Sequence, residues 1–182
     1  AIMKHDDSIG TNLRGSFQKD NAVLARKAVR LLMERFPKID DGSIKKGLMK
    51  TKIRGRMEFV EDDIMVDCAH NSEACSVLSS ELEDMKSTHE KIVALVSILD
   101  DKNKEEMIKE LEKAVDMFIF TRLDNKRSGS EKCLEKMTAR ESVYVDDPEE
   151  AFGLLKKKNG LKVVTGSCYL AGEIMKHYTP QK

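Results

Sequence analysis

"KIVALVSILDDKNKEEMIKELEKAVDMFIFT", residues 91–121, decides the fold. Residues 92–99 are apolar at every position but Ser97, and Ile92, Val93, Val96 and Ile98 are β-branched. A continuous apolar run of strand length marks a strand buried on both faces, as in a parallel sheet. "KEEMIKELEKAV" reads as an amphipathic helix, and "MFIFT" as a second apolar strand. Strand, helix and strand in that order make a βαβ crossover.

The alternation continues on both sides. Upstream lie "MKTKIRGRMEFV" (49–60), with a strand near residues 57–60, then the strand "DIMVD" (63–67) and the helix "SEACSVLSSELEDMKS" (72–87). Downstream lie the helix "SEKCLEKMTA" (130–139), the strand "SVYVD" (142–146) and the helix "DPEEAFGLLKKK" (147–158), with Pro148 in its first turn. The strand and loop "LKVVTGS" (161–167) and a last helix, "YLAGEIMKHY" (169–178), close the series. The pattern predicts an α/β fold: a three-layer α/β/α, Rossmann-like domain with a mainly parallel six-stranded sheet over residues 55–182. Residues 1–54 differ in character. "NAVLARKAVRLLMERF" (21–36) is helical, with Val23, Leu24, Ala28, Leu31 and Leu32 along one face and Asp20 or Asn21 as N-cap. Pro37 stops it. "KIDDGS" is a polar turn, and "IKKGL" a short helical turn ended by Gly47.

Composition limits the function. The chain has 182 residues, 40% of them apolar and 35% charged, with 32 Lys plus Arg against 32 Asp plus Glu. A neutral chain exerts no general pull on nucleic acid or anionic membrane. With no Trp, three Tyr and six Phe, stacking platforms are scarce, so neither nucleic acid nor membrane is an expected partner. Cys68, Cys75, Cys133 and Cys168 include no C-x-x-C pair and read as reduced thiols of a cytoplasmic protein. No apolar run approaches the roughly 20 residues that span a bilayer, and "AIMKHDDS" does not read as a signal peptide.

"SIGTNLRGSFQKDN" (8–21) spaces Gly10 and Gly15 like a phosphate-binding P-loop. Ser16 and Phe17 then stand where Lys and Ser or Thr are needed, and residues 1–9 carry Lys4, His5, Asp6 and Asp7, which suit a buried strand poorly. The segment reads better as a turn before a helix. The G-x-G-x-x-G fingerprint is absent, and no Ser-His-Asp or Cys-His arrangement is evident.

In open α/β sheets ligands bind beyond the carboxyl ends of the strands. Two segments there are polar, and a third candidate lies at the entrance to the regular domain. "VDCAHNSE" (66–73) places Asp67 and His70 three apart before a helix; Asn71 or Ser72 as helix cap is the plain alternative, and both readings hold together. "VVTGSCYLAGE" (163–173) puts Thr165, Gly166 and Ser167 at a helix N-terminus that can hold an anion, or makes a tight turn and nothing more. "IRGRMEF" (53–59) carries Arg56, a planar fork of donors for phosphate or carboxylate, or a solvated linker arginine. "LDDKNKEE" (99–106) is a loop and helix start. His5, His89 and His177 read as surface residues.

"LRGSFQKDNA" (13–22), "RGRME" (54–58), "DCAHN" (67–71), "ILDDKN" (98–103) and "GSCYLAGE" (166–173) stand in one register. In it the chain resembles the C-terminal part of folylpolyglutamate synthase / dihydrofolate synthase, of the Mur ligase superfamily of ATP-dependent amide ligases. That family reads L-x-G-x-H-Q-x-x-N-A, P-G-R-x-E, D-G-A-H-N, D-K-D and G-S-x-Y-L-x-G-E at these places. Phe17, Arg54 and Cys68 depart from its His, Pro and Gly.

The resemblance implies that residues 1–54 are the tail and linker of a central ATP-binding domain. Residues 55–182 would be the domain that closes over it. The family converts a folate carboxylate to an acyl phosphate with ATP, and the amine of L-glutamate then displaces phosphate. Asn21, Arg56 and Asp67 are thereby expected to bind ATP, at the adenine side, the phosphates and the ribose. His70 and Ser167 are expected near the γ-phosphate or the incoming glutamate. The family's P-loop and magnesium ligands are expected in a preceding N-terminal part, so this chain alone is expected to be inactive. Two alternatives stand beside this reading: a Mur-type ligase for another amino acid, and a free-standing, non-catalytic α/β binding module.

Overall fold

Helix α1 (Gln18–Leu32) starts earlier than its apolar periodicity predicts, with Phe17 at the N-cap position and no side-chain cap. Asp20 and Asn21 are therefore first-turn residues, a correction to their expected capping role; the Asn21 amide donates instead to Gln18 Oε1. A second correction concerns its apolar face. Ala22 and Gln18 are buried, whereas Leu24, Leu31 and Leu32 are exposed, Leu31 at 83%. Periodicity identifies an apolar face but not what covers it. Helix α2 (Asp41–Lys50) is longer than the predicted turn and runs through Gly47. Asp40 and Ser43 form a reciprocal capping box that fixes its start, which offsets the cost of about 1 kcal/mol for an interior glycine.

The computed structural model describes residues 10–128 and 131–178. The predicted character of residues 1–9, including His5, lies outside them. Packing divides the chain into two units, Ala1–Arg54 and Gly55–Lys182.

The second unit is an α/β domain. In chain order it contains β1 (Glu58–Glu61), β2 (Ile64–Val66), α3 (Ser72–Met85), β3 (Ile92–Val96), α4 (Lys104–Leu111), β4 (Met117–Thr121), β5 (Glu141–Val145), α5 (Pro148–Lys156), β6 (Leu161–Thr165) and α6 (Cys168–Met175). The segment 130–139, predicted as an α-helix, winds as a 3₁₀ helix over Glu131–Met137. Such tight turns serve as short connectors, and here the Glu112 carboxylate holds the exit by accepting from Thr138 Oγ1 and the Ala139 N–H. Another 3₁₀ turn, Lys176–Tyr178, follows α6.

The six strands lie in the order β1-β2-β6-β3-β4-β5. All neighbours are parallel except β1, which pairs antiparallel with β2. The apolar runs behave as their composition demands: every residue of β2, β3, β4 and β6 is buried. The chain steps from β2 to β3, β4 and β5 in one direction, then reverses to insert β6 between β2 and β3. Right-handed crossovers put the helices of the two directions on opposite faces. Accordingly α3 packs with α4, and α5 with α6. On the α5–α6 side, Val93, Leu95, Ile119 and Val164 pack against Phe152, Leu155, Leu170 and Ile174. No helix among the described residues is long and apolar enough to cross a membrane.

Candidate functional site

The insertion of β6 creates a topological switch, where ligands of open α/β sheets bind. The loops after β2 and β6 meet there. The Asp67 N–H donates to the Val164 carbonyl at 2.9 Å, extending the β2–β6 ladder by one residue to the carboxyl rim. Asp67 is 5% exposed. Its Oδ2 accepts from the Met57 N–H at 3.0 Å and its Oδ1 from the Ala69 N–H at 2.8 Å. Burial pushes its pKa above the ordinary aspartate value, while the two amides and the Arg56 charge pull the other way.

The same carboxylate shapes the segment that carries Arg56. The Cys68 N–H donates to the Gly55 carbonyl at 2.8 Å, and the Gly55 N–H to Glu58 Oε2 at 2.8 Å. Gly55 has φ +66°, and a Cβ there would stand 2.7 Å from Cys68 Sγ, so the approach requires glycine. Met57 has φ +46°, a positive value shared by no other non-glycine among the described residues. A left-handed methionine costs on the order of 1–2 kcal/mol. The Asp67 bond and near-complete burial of Met57, 1% exposed, offset it. Arg56 is thus fixed between two left-handed residues, half-buried beside Asp67, with no hydrogen-bond partner for its guanidinium among the described residues.

His70 is half-buried, and its Nδ1 lies 2.9 Å from the Cys68 carbonyl. A carbonyl only accepts, so Nδ1 carries the proton and Nε2 is the acceptor of the neutral ring. Asn71 is the cap of α3, accepting from the Ala74 N–H at 2.8 Å. The loop is therefore both a helix cap and a polar rim. Across from it, Ser167 caps α6, accepting from the Tyr169 N–H at 3.1 Å, and is 2% exposed. Gly166 has φ +90°, and a Cβ there would meet the Ser97 carbonyl at 2.7 Å, so the tight-turn reading of this glycine also holds.

Arg56, Asp67, His70 and Ser167 thus share the rim of β2 and β6. Asn21 belongs to the other unit and is exposed on α1. Asp100, Asp101 and Lys102 are engaged in surface ion pairs: Asp100 with Lys104, and Asp101 with Arg127 and Lys102. His177, read as a lone surface residue, pairs with Glu149 at 2.8 Å and stacks on Phe152.

Two further residues stand at the rim that sequence reading missed, Met57 and Cys168. Met57 was unreadable because its φ is set by the fold. Cys168 sits with its Sγ 3.7 Å from His70 Nδ1, a cysteine–histidine contact that sequence reading does not anticipate. Its one available signal was its place beside Ser167. Farther along the rim, a cavity of about 420 Å³ is lined by Asp124, Asp147, Glu149 and Glu173 together with Tyr169. Its four carboxylates make it a poor place for a phosphate. Among the described residues no three His, Cys, Asp or Glu side chains are grouped to hold a metal ion.

Residues 55–168 match the family described as Mur ligase, glutamate ligase domain. The chain is 29% identical over 177 residues to the dihydrofolate synthase/folylpolyglutamate synthase of Bacillus subtilis, covering 93% of this chain and 41% of that protein. Its fold is similar to that of Mycobacterium tuberculosis folylpolyglutamate synthase complexed with ADP and AMPPCP (TM-score 0.80, 22% identity, 95% of this chain and 42% of that one). It is also similar to Escherichia coli FolC in complex with DHPP and ADP (TM-score 0.77, 20% identity, 86% and 38%). The chain therefore spans about two fifths of the length of these relatives.

Proposed function

The chain belongs to the Mur ligase glutamate ligase domain family, and from that premise we propose that it is the closing domain of an ATP-dependent ligase that joins L-glutamate to a folate carboxylate. Residues 1–54 are, on this reading, the tail of the ATP-binding domain, and the protein works in the cytoplasm. The observation that carries the proposal is the gathering of Arg56, Asp67, His70 and Ser167 from three separate segments onto the one rim where the strand order reverses.

Each residue has a role its surroundings permit. The Arg56 guanidinium, beside Asp67 and with no hydrogen-bond partner among the described residues, is suited to negative charge developing on phosphoryl oxygens. Asp67 keeps one further lone pair on each oxygen after accepting the two amides, enough for a ribose hydroxyl. Its larger role is to hold Arg56 in place. His70, with Nε2 free to accept, faces the amine of the incoming glutamate. Ser167 retains its hydroxyl proton to donate toward the same space. Asn21 is assigned the adenine side. ATP supplies the phosphoryl group that makes the carboxylate reactive toward an amine. The described residues fit the nucleotide through Arg56 and Asp67, and offer no cluster for magnesium, whose ligands we assign to the preceding part of the enzyme.

The test is ADP formation by the full-length protein. It should require a pterin-containing carboxylate and L-glutamate together. ADP formation with another amino acid in place of glutamate would shift the proposal to a different Mur-type ligation. Absence of any acceptor-dependent turnover would overturn it in favour of a binding module.

A further inference from the structure

Cys68 and Cys168 lie one hundred positions apart in the chain and meet at the rim. We propose that they are a redox-active pair, forming a reversible disulfide that ties the loop after β2 to the first turn of α6.

Three observations place both sulfurs in the same gap. Cys168 Sγ lies 3.6 Å from the Cys68 carbonyl and 3.7 Å from His70 Nδ1. Cys68 Sγ packs at Gly55, the same spot reached by Ala171 and Met175 of α6. Cys168 precedes Ala171 by three positions and so shares that helix face. The thiols also sense each other: after burial, Cys168 is the largest influence raising the pKa of Cys68.

The two cysteines divide the chemistry. Cys168 is exposed and is the first to meet an oxidant. The His70 ring lies beside this sulfur, its Nδ1 at 3.7 Å, while the Nδ1 proton is engaged by the Cys68 carbonyl. Cys68 is half-buried, its thiol pushed up to about 12, so it is not an initial nucleophile and acts second. The co-reactant is a small-molecule disulfide of the oxidised-glutathione class. The Cys168 thiolate attacks one of its sulfurs, that S–S bond breaks, and one thiolate leaves to take up a proton. Cys68 then loses its proton and attacks the Cys168 sulfur, displacing the second small thiolate. Two protein thiols are oxidised to one disulfide, and one small disulfide is reduced to two thiols. Intracellular disulfides that form and break in this way are typically sensing or catalytic rather than structural. The bond would lie in the wall shared by His70 and Ser167, so oxidation would add a covalent tether between the loop after β2 and the first turn of α6. The inference stands on loop geometry and is independent of the substrate proposed above.

The test is to equilibrate the 182-residue chain with excess oxidised glutathione, digest it without reduction and map the peptides by mass spectrometry. The expected main product is an intramolecular Cys68–Cys168 peptide, abolished by dithiothreitol and by Cys168→Ser. Cys68→Ala, which removes the second thiol, should instead accumulate glutathione on Cys168. A wild-type chain that keeps both thiols reduced, or holds a stable glutathione adduct on Cys168 with no linked peptide, would overturn the proposal. So would a linked peptide found only in covalent dimers.

Discussion

Asp67 and Arg56 are neighbours with different dependencies. The Asp67 carboxylate takes two main-chain amides, from Met57 and Ala69, and one of those bonds sustains a left-handed methionine. Asp67→Asn leaves a single acceptor oxygen and turns an amide nitrogen toward an N–H donor. It should cost about 1–3 kcal/mol of stability, the penalty for a buried donor left unpaired, measured by urea denaturation. Arg56 supports no such bond. Arg56→Ala should change stability by no more than about 0.5 kcal/mol while impairing function. Equal destabilisation by both substitutions would mean that Arg56 is part of the scaffold rather than a waiting ligand group. Asp67, His70 and Ser167 stood out because they follow strands, where loops of α/β proteins carry function, whereas Arg56 precedes β1 and stood out only as an arginine beside a glycine. The bond from the Met57 N–H to Asp67 was not legible, since a contact across ten residues and a positive φ leave no trace in residue type.

The β1–β2 hairpin shows the same contrast at the level of elements. Its strand β1 is an antiparallel edge, and its last residue, Glu61, accepts from Tyr178 Oη and from Lys156 Nζ. These bonds, Tyr178 first, hold the Glu61 carboxyl below the ordinary glutamate value of 4.5. A depressed carboxyl stabilises the fold when ionised. The contribution is complete above pH 4.5 and is lost as pH falls below it. Tyr178→Phe should therefore lower Tm at neutral pH, with the gap to wild type closing as the medium is acidified below that value. A gap that stays constant would show that Tyr178 acts by packing alone. Elements rich in β-branched residues, β3 above all, announced themselves by composition. Helix α1 announced its period but not its surroundings, and its leucines proved exposed. The 3₁₀ segment Glu131–Met137 misled for a related reason: helical propensity does not distinguish the tighter turn that a short connector takes.

At the scale of the molecule, one topological event assembles the candidate rim. Inserting β6 between β2 and β3 brings the loop carrying Ser167 beside the loop carrying Asp67 and His70, and the Gly55–Met57 segment is laced to the latter. The alternation of strands and helices made the layered architecture legible. The order of strands was not, because a βαβ pattern is the same whether β6 lies at an edge or in the middle. The two units, Ala1–Arg54 and Gly55–Lys182, meet in sequence between Arg54 and Gly55, so Arg56 is the second residue of the α/β unit. The most direct test of this account is the rate of ATP-dependent glutamate addition by the full-length protein carrying Arg56→Ala. The account predicts a fall of at least about tenfold, equivalent to roughly 1.4 kcal/mol of lost transition-state stabilisation, in a protein that melts like wild type. An unchanged rate would contradict it.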